Sequence, residues 1–343
     1  MKNSPFAIVD MSVKLGKKIS LSRDEMSAVM RQIIGGDVSD DQIEEFLVSL
    51  AKKGETVEEL AAAAEVMRAH AVRLPKEIPD LLDTCGTGGD CQNTLNVSTL
   101  SALVACAAGA KVAKHGNRSV SGICGSADLL EMLGVKIDLT PEKVAQSIEE
   151  TGFGFFFAPN FHPATRHAMP ARKRIKGKTL FNLLGPLSNP ANAAHQLLGV
   201  YEKRLIPLMA GVLQKLGVKR AMVVYGHDGL DEISLSSGTT IAEIKDDQSF
   251  QYEVSPEHFN MKRESLDNFR VSSKEESLEC AQQVLRGDTG ASSKIVCLNS
   301  AAALYVAGQA MSVKQGILMS MDALESGRAE KKLKQIAQFS QKA

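Results

Sequence analysis

Three short turns between Asp83 and Asp128 set glycine beside side chains able to hold an anion. The first is Asp83-Thr84-Cys85-Gly86-Thr87-Gly88-Gly89-Asp90, with Asn96-Val97-Ser98-Thr99 a few residues on. The second is Lys114-His115-Gly116-Asn117-Arg118-Ser119, and the third is Gly125-Ser126-Ala127-Asp128. Glycine lets the backbone come close to a ligand, and the first amides of a following helix face negative charge. Three such loops within about fifty residues imply a ligand with more than one phosphate group. The first is no Walker loop, since no Gly-Lys-Ser/Thr follows, and it lacks the third glycine of a dinucleotide fingerprint. Alone it would be a plain tight turn. Asp90, Asn96, Ser98 and Thr99 add the polar groups that a phosphosugar and its metal need, and Lys114 adds a point charge against phosphate.

Two further features bear on the same chemistry. Asp231-Glu232 closes a turn after the apolar run Arg220 to Tyr225, a strand whose carboxyl end is where open parallel sheets place ligands. Acidic pairs in loops are usually solvated. Opposite a diphosphate, however, two carboxylates suit Mg²⁺, which keeps phosphates and water as its other ligands. Arg172 lies in a basic stretch with Arg166, Lys173, Arg174, Lys176 and Lys178 that would ordinarily be a solvated face. Its guanidinium fits a carboxylate in bidentate fashion. His162 and His167, five residues apart with no third ligand near, do not make a zinc site.

The elements that position these residues change character along the chain. Ser22-x-x-Glu25, Ser39-x-x-Gln42 and Thr56-x-x-Glu59 are capping boxes, each opening an amphipathic helix. Residues 1–75 therefore read as a small helical domain. After Leu74-Pro75 and Ile78-Pro79, strands and helices alternate. Strands are expected at Ile78–Asp83, Ala110–Lys114, Val135–Asp138, Phe153–Phe157, Gln196–Tyr201, Arg220–Tyr225 and Ile295–Asn299, with a hairpin at Ile241–Lys245 and Phe250–Val254. That rhythm predicts an α/β fold with a mainly parallel central sheet over 76–343. Residues 163–187 interrupt it and are expected to rejoin the helical domain.

The totals exclude several classes. Of 343 residues, 44% are hydrophobic and 23% charged, so a full core is expected. Forty basic residues balance forty acidic ones, which gives no general attraction for nucleic acid or an anionic membrane. No apolar run approaches the roughly 18 residues of a spanning helix. Six cysteines without a CxxC pair, and no secretory leader, predict reduced thiols in the cytoplasm.

Taken in order, the turns above, Ala158-Pro159-Asn160-Phe161-His162-Pro163, Phe181-Asn182-Leu183-Leu184-Gly185-Pro186 and Asp228-Gly229-Leu230-Asp231-Glu232 resemble the anthranilate phosphoribosyltransferases across nearly the whole chain. The resemblance implies the nucleoside phosphorylase/phosphoribosyltransferase class of fold and a homodimer contacting through the helical domain. It implies transfer of phosphoribosyl from 5-phosphoribosyl-1-pyrophosphate (PRPP) to the amine of anthranilate, a step of tryptophan biosynthesis, with Mg²⁺. PRPP contacts would fall on Gly86, Gly89, Asp90, Thr94, Asn96, Ser98, Thr99, Lys114 and Ser126, and metal positions on Ser98, Asp231 and Glu232. Anthranilate contacts would fall on Gly86, Asn117 and Arg172, with His115 and His162 lining the entry, and Lys114, Asn117 and Arg172 would serve catalysis. Gly122-Ile123-Cys124-Gly125 departs from the family, which more often shows a serine and a lysine there. The rival readings are a pyrimidine nucleoside phosphorylase, a paralogue acting on another aromatic amine, and a non-catalytic nucleic-acid-binding relative.

Overall fold

The computed structural model describes residues 6–119 and 122–343. Four helices come first: α1 (Ile8–Gly16), α2 (Arg23–Gly35), α3 (Asp40–Lys53) and α4 (Val57–Ala69). The capping boxes at Ser22, Ser39 and Thr56 all close, each cap oxygen accepting the backbone N–H three residues on. Each satisfies amides that the first helical turn leaves unpaired.

A seven-stranded sheet follows. Along the chain come β1 (Leu82–Gly86), α5 (Val97–Ala107), β2 (Val112–Gly116), α6 (Ser126–Met132), α7 (Pro141–Thr151) and β3 (Phe153–Phe157). Short helices α8 (Ala158–Phe161), α9 (Met169–Arg174) and α10 (Leu180–Leu187) lead to β4 (His195–Gly199), α11 (Leu205–Lys215) and β5 (Arg220–Gly226). The hairpin β6 (Thr239–Lys245) and β7 (Gln248–Val254) precedes α12 (Lys274–Arg286), α13 (Ala291–Val306), α14 (Val313–Glu325) and α15 (Arg328–Lys342). The strand order is β3-β2-β1-β4-β5-β6-β7, parallel through β5 and antiparallel beyond.

Alternate residues of the central strands enter different cores, as the two-residue period requires. Leu197, Met222 and Val224 join α5 and α13 on one face. Leu198, Ala221 and Val223 join α2–α4, α10 and α11 on the other. The 163–187 segment packs back on the first helices. Arg174 pairs with Asp41 (2.9 Å) and Glu44 (2.8 Å) of α3, while Ala168, Ala171, Leu180 and Leu184 are buried in the same core as Met30 and Phe46.

Two expected strands are absent. Val135–Asp138 has no strand partner: Val135 and Ile137 are buried, but the Lys136 amide donates to Ser340 Oγ of α15 (2.9 Å) instead of to a strand. Ile295–Asn299 lies inside α13, which is buried on nearly every side. A short apolar run buried all round carries no periodicity to separate helix from strand.

Candidate functional site

The three glycine turns converge at the carboxyl ends of β1 and β2. Gly88 and Gly89 have φ of 61° and 75°, in the left-handed region where a Cβ is strained. This reversal aims the Gly88 N–H at Asp231 Oδ2, which accepts it at 3.0 Å. A Cβ on Gly86 would collide with that same carboxylate, so the close approach requires glycine there. Glu232 follows Asp231 in the same turn, and the Ser98 backbone at the opening of α5 favours its charged form. The turn carrying both carboxylates is held by Asp228, whose carboxylate accepts Ser234 Oγ–H (2.5 Å), the Ser236 hydroxyl and the Leu230 N–H (3.3 Å).

Asn96 caps α5, its Oδ1 accepting Thr99 N–H at 3.1 Å, and Thr99 Oγ1 is buried without a partner among the described residues. Lys114 is buried, with Nζ donating to Thr84 O (2.6 Å) and Ser98 Oγ (3.4 Å). Behind it sits Asp83, whose oxygens accept Asn189 Nδ2–H (2.8 Å) and His115 N–H (3.3 Å). Ser126 Oγ–H donates to Asn117 O (3.2 Å), and Asp128 Oδ2 accepts Ser119 N–H and Gly125 N–H, each at 3.0 Å. The second and third turns are thereby tied together.

The electrostatics are dominated by burial. It raises Asp231 to about 7, with Asp90 adding to the effect, and raises Glu232 well above the usual carboxylate range, with Asp231 adding there. Burial also raises Asp90, raises Asp83 to about 6 against the pull of Lys114, and lowers Lys114 despite Asp83. Carboxylates shifted this far by burial are a mark of functional sites. The described residues contain no cluster of three or more His, Cys, Asp and Glu placed to hold a metal. Mg²⁺ needs only one or two carboxylates beside substrate phosphates, and Asp231 with Glu232 fits that donor set.

His115 and His162 stand with ring centroids 5.2 Å apart. Nδ1–H of His115 donates to Gly185 O (3.1 Å) and Nε2–H of His162 to Ser188 O (2.8 Å). Burial pushes His115 down to about 3 and lowers His162, so both rings are neutral. Arg172 stands apart. Its Nη1 donates to Met169 Sδ (3.6 Å), its guanidinium lies 5.0 Å from the Phe181 ring centroid, and it bonds to none of the other candidate residues. Among the described residues Thr94 makes an isolated backbone bridge to Arg270 and no side-chain hydrogen bond. In the departing loop, Ser121 lies outside the described residues, and Cys124 O accepts Asn96 Nδ2–H at 3.4 Å. Sequence reading assigned no part to Asn189, to Asp83 as the acid behind Lys114, or to Asp128 as the tie between turns. A buried acid at the end of an apolar strand was the available signal for Asp83, whereas Asn189 had none.

This arrangement of a helical bundle beside an α/β domain, with anion turns at the sheet's carboxyl ends, has known relatives. Residues 10–71 match the glycosyl transferase family helical bundle domain, and residues 78–330 match the glycosyl transferase family a/b domain. The class is therefore a two-part glycosyl transferase. An anthranilate phosphoribosyltransferase of Thioalkalivibrio sulfidiphilus is 49% identical over 94% of this chain and 96% of its own. The crystal structure of the Thermus thermophilus anthranilate phosphoribosyltransferase superposes with a TM-score of 0.91 at 40% identity, covering 97% of this chain and 99% of that one. That of the Saccharomyces cerevisiae enzyme in complex with PRPP and Mg gives 0.88 at 26% identity, covering 99% of both chains. The chain belongs to the anthranilate phosphoribosyltransferase family.

Proposed function

We propose that this chain transfers the phosphoribosyl group of PRPP to the amine of anthranilate, giving N-(5-phosphoribosyl)anthranilate and pyrophosphate. The observation that carries the reading is the bond from the Gly88 amide to Asp231, with Glu232 next to it in the chain and buried Lys114 bonded to Ser98 at the opening of α5. Three anion-directed turns meet there at one pair of costly carboxylates.

The reaction needs charge dispersed on a departing pyrophosphate and an amine held over ribose C1. The amides of the Gly86–Gly89 turn, Asp90, Thr94, Asn96, Ser98, Thr99 and Ser126 bind and orient the donor. Lys114, fixed by Thr84 O, places a cation against its phosphates. Ser98, Asp231 and Glu232 would hold Mg²⁺, which when bound supplies Lewis-acid stabilisation of the leaving group. Arg172 and Asn117 position the acceptor carboxylate and amine beside Gly86. Neutral His115 and His162 line the entry without adding charge that would compete with Arg172. No side chain here needs to act as a covalent nucleophile.

Residues 1–75, rejoined by 163–187, make up the helical domain and the rest of 76–343 the α/β domain, and the contacts of α9 and α10 with α3 and α4 support that division. Exposed Val9, Val13 and Ile19 near α1 support a homodimer through the helical part. Six unpaired cysteines support a reducing, cytoplasmic setting. No described helix is long and apolar enough to cross a membrane. Loss of anthranilate fluorescence with purified protein, PRPP and Mg²⁺ tests the reaction. The loss is expected to need PRPP and to stop in chelator. PRPP-dependent stabilisation without fluorescence loss would point to another aromatic amine.

A further inference from the structure

One cation at the site has no part in the scheme above. Lys178 lies between α9, which carries Arg172, and α10. A Cβ on Gly89 would lie 3.0 Å from Lys178 Cε, so the side chain stands directly over the Gly88–Gly89 turn. Its Nζ lies 3.1 Å from the centroid of the Tyr201 ring, and it forms no ion pair among the described residues. Tyr201 is itself tied to the turn, because its N–H donates to Thr87 Oγ1 (3.1 Å) while Thr87 N–H donates to Gly199 O (2.9 Å). The ring that seats Lys178 is thus registered on the same loop the ammonium overhangs. A cation on an aromatic face keeps its donors free on the other side.

We propose that Lys178 is a donor-binding residue, whose ammonium, seated on Tyr201, takes the diphosphate of PRPP where it crosses the Gly88–Gly89 turn. This rests on the function proposed above. The charge distribution supports it. Asp90, Asp231 and Glu232 face the turn, and Lys114 is buried beneath it. Arg118, the cation of the second turn, is committed to Glu131 (2.9 Å) and Asp128 (3.4 Å). Lys178 is therefore an exposed cation at the mouth without an ion pair among the described residues, with Cys91, Glu202, Asp231 and Asp90 acting on it electrostatically.

The test is calorimetric titration of PRPP, with Mg²⁺, into wild type, Lys178→Met and Lys178→Arg, alongside initial rates and melting temperatures. Lys178→Met is expected to weaken PRPP binding and raise its KM about tenfold, the size of one lost charged hydrogen bond. The kcat and the anthranilate KM should stay within about threefold, Lys178→Arg should restore binding, and the salt dependence of PRPP binding should become shallower in the Met variant. Lys178 is exposed, so folding should be intact, and Lys178→Gln serves as a second neutral variant. PRPP affinity within about twofold of wild type in both neutral variants would overturn the proposal. Equal loss in Lys178→Arg would also overturn it, because charge would not be the cause. Wild type that fails to bind PRPP would instead remove the function beneath it.

Discussion

Replacing Asp231 by Asn is expected to stabilise the metal-free protein while it abolishes turnover. Burial, with Asp90 beside it, moves the carboxyl from 3.8 to about 7. The folded state then holds the proton more tightly than the unfolded state does. This contribution is fully present below about pH 4 and is lost as pH rises through 7. The gap between 3.8 and about 7 corresponds to about 4 kcal/mol of unfavourable charge burial at pH 8 and above. The side chain is only partly buried, and solvent screening reduces this to about 2 kcal/mol. Asn retains an oxygen to accept the Gly88 N–H now bonded at 3.0 Å, so the turn need not open. At about 2.1 cal/mol/K per residue, a chain of 343 residues has an unfolding entropy near 0.7 kcal/mol/K, so Tm should rise about 3 °C.

Calorimetric melting in chelator at pH 8 and pH 5 checks the magnitude and the sign together. The gain should be smaller at pH 5 and fall further toward pH 4, as the folded wild-type carboxyl takes up its proton. Mg²⁺ with PRPP should raise the Tm of wild type and not of the variant, and turnover should fall more than about a hundredfold. An Asn variant that melts no higher than wild type at pH 8, or a gain that does not shrink with acid, would refute the assignment of Asp231 as a carboxylate kept charged for a cation.

Arg172→Ala should raise the anthranilate KM about tenfold or more and leave the PRPP KM nearly unchanged, and an unchanged anthranilate KM would place the acceptor elsewhere. Gly86→Ala should cost about 1.5–3 kcal/mol in PRPP kcat/KM, because the new methyl displaces the Asp231 carboxylate from Gly88, while Tm changes little. Kinetics within about threefold of wild type would mean that the approach is not needed. His115 is held down at about 3 by burial and by His162, whereas an unfolded histidine takes its proton near 6.5, so stability should fall as pH drops from 6.5 toward 3. Urea melts of His115→Gln across that range should show a flatter acid limb.

How much could be read from the residues differs by element. The N-terminal helices were legible because capping boxes and apolar stripes are local, and Ser22, Ser39 and Thr56 close as their spacing implies. The Phe153–Phe157 strand lies where expected, since a glycine stop and an aromatic run fix it. Strand bounds near the first turn moved, from Ile78–Asp83 to Leu82–Gly86, because pairing with β4 at Leu82 to Gly86 sets them, and that partner is more than a hundred residues away. α13 was missed in part for the same kind of reason. Its packing against α5 and α14, not a pattern of its own, decides that Ile295–Asn299 is helical. The glycine turns and the acidic pair announced themselves by composition. The order in which they meet did not, because Gly88 to Asp231 and His115 to Asp83 are tertiary bonds.

The Gly122–Gly125 loop shows where a departure in sequence leaves the frame untouched. Its anchor is backbone geometry: a Cβ on Gly125 would strike the Arg118 and Ser119 backbone, and Asp128 Oδ2 takes the amides of both Ser119 and Gly125. Asp128 is held at about 2. Burial opposes its charge, but the two amides and Lys274 outweigh burial. None of these bonds uses the side chain of Ile123 or Cys124. Cys124 meets the site through its carbonyl, which accepts from Asn96. The two side chains can therefore alter what covers the donor without moving Ser126 or Asn117. Ile123→Lys with Cys124→Ser should change the PRPP KM and leave kcat and Tm near wild type. A large fall in Tm would show that the loop, and not Asp128, holds the second and third turns together.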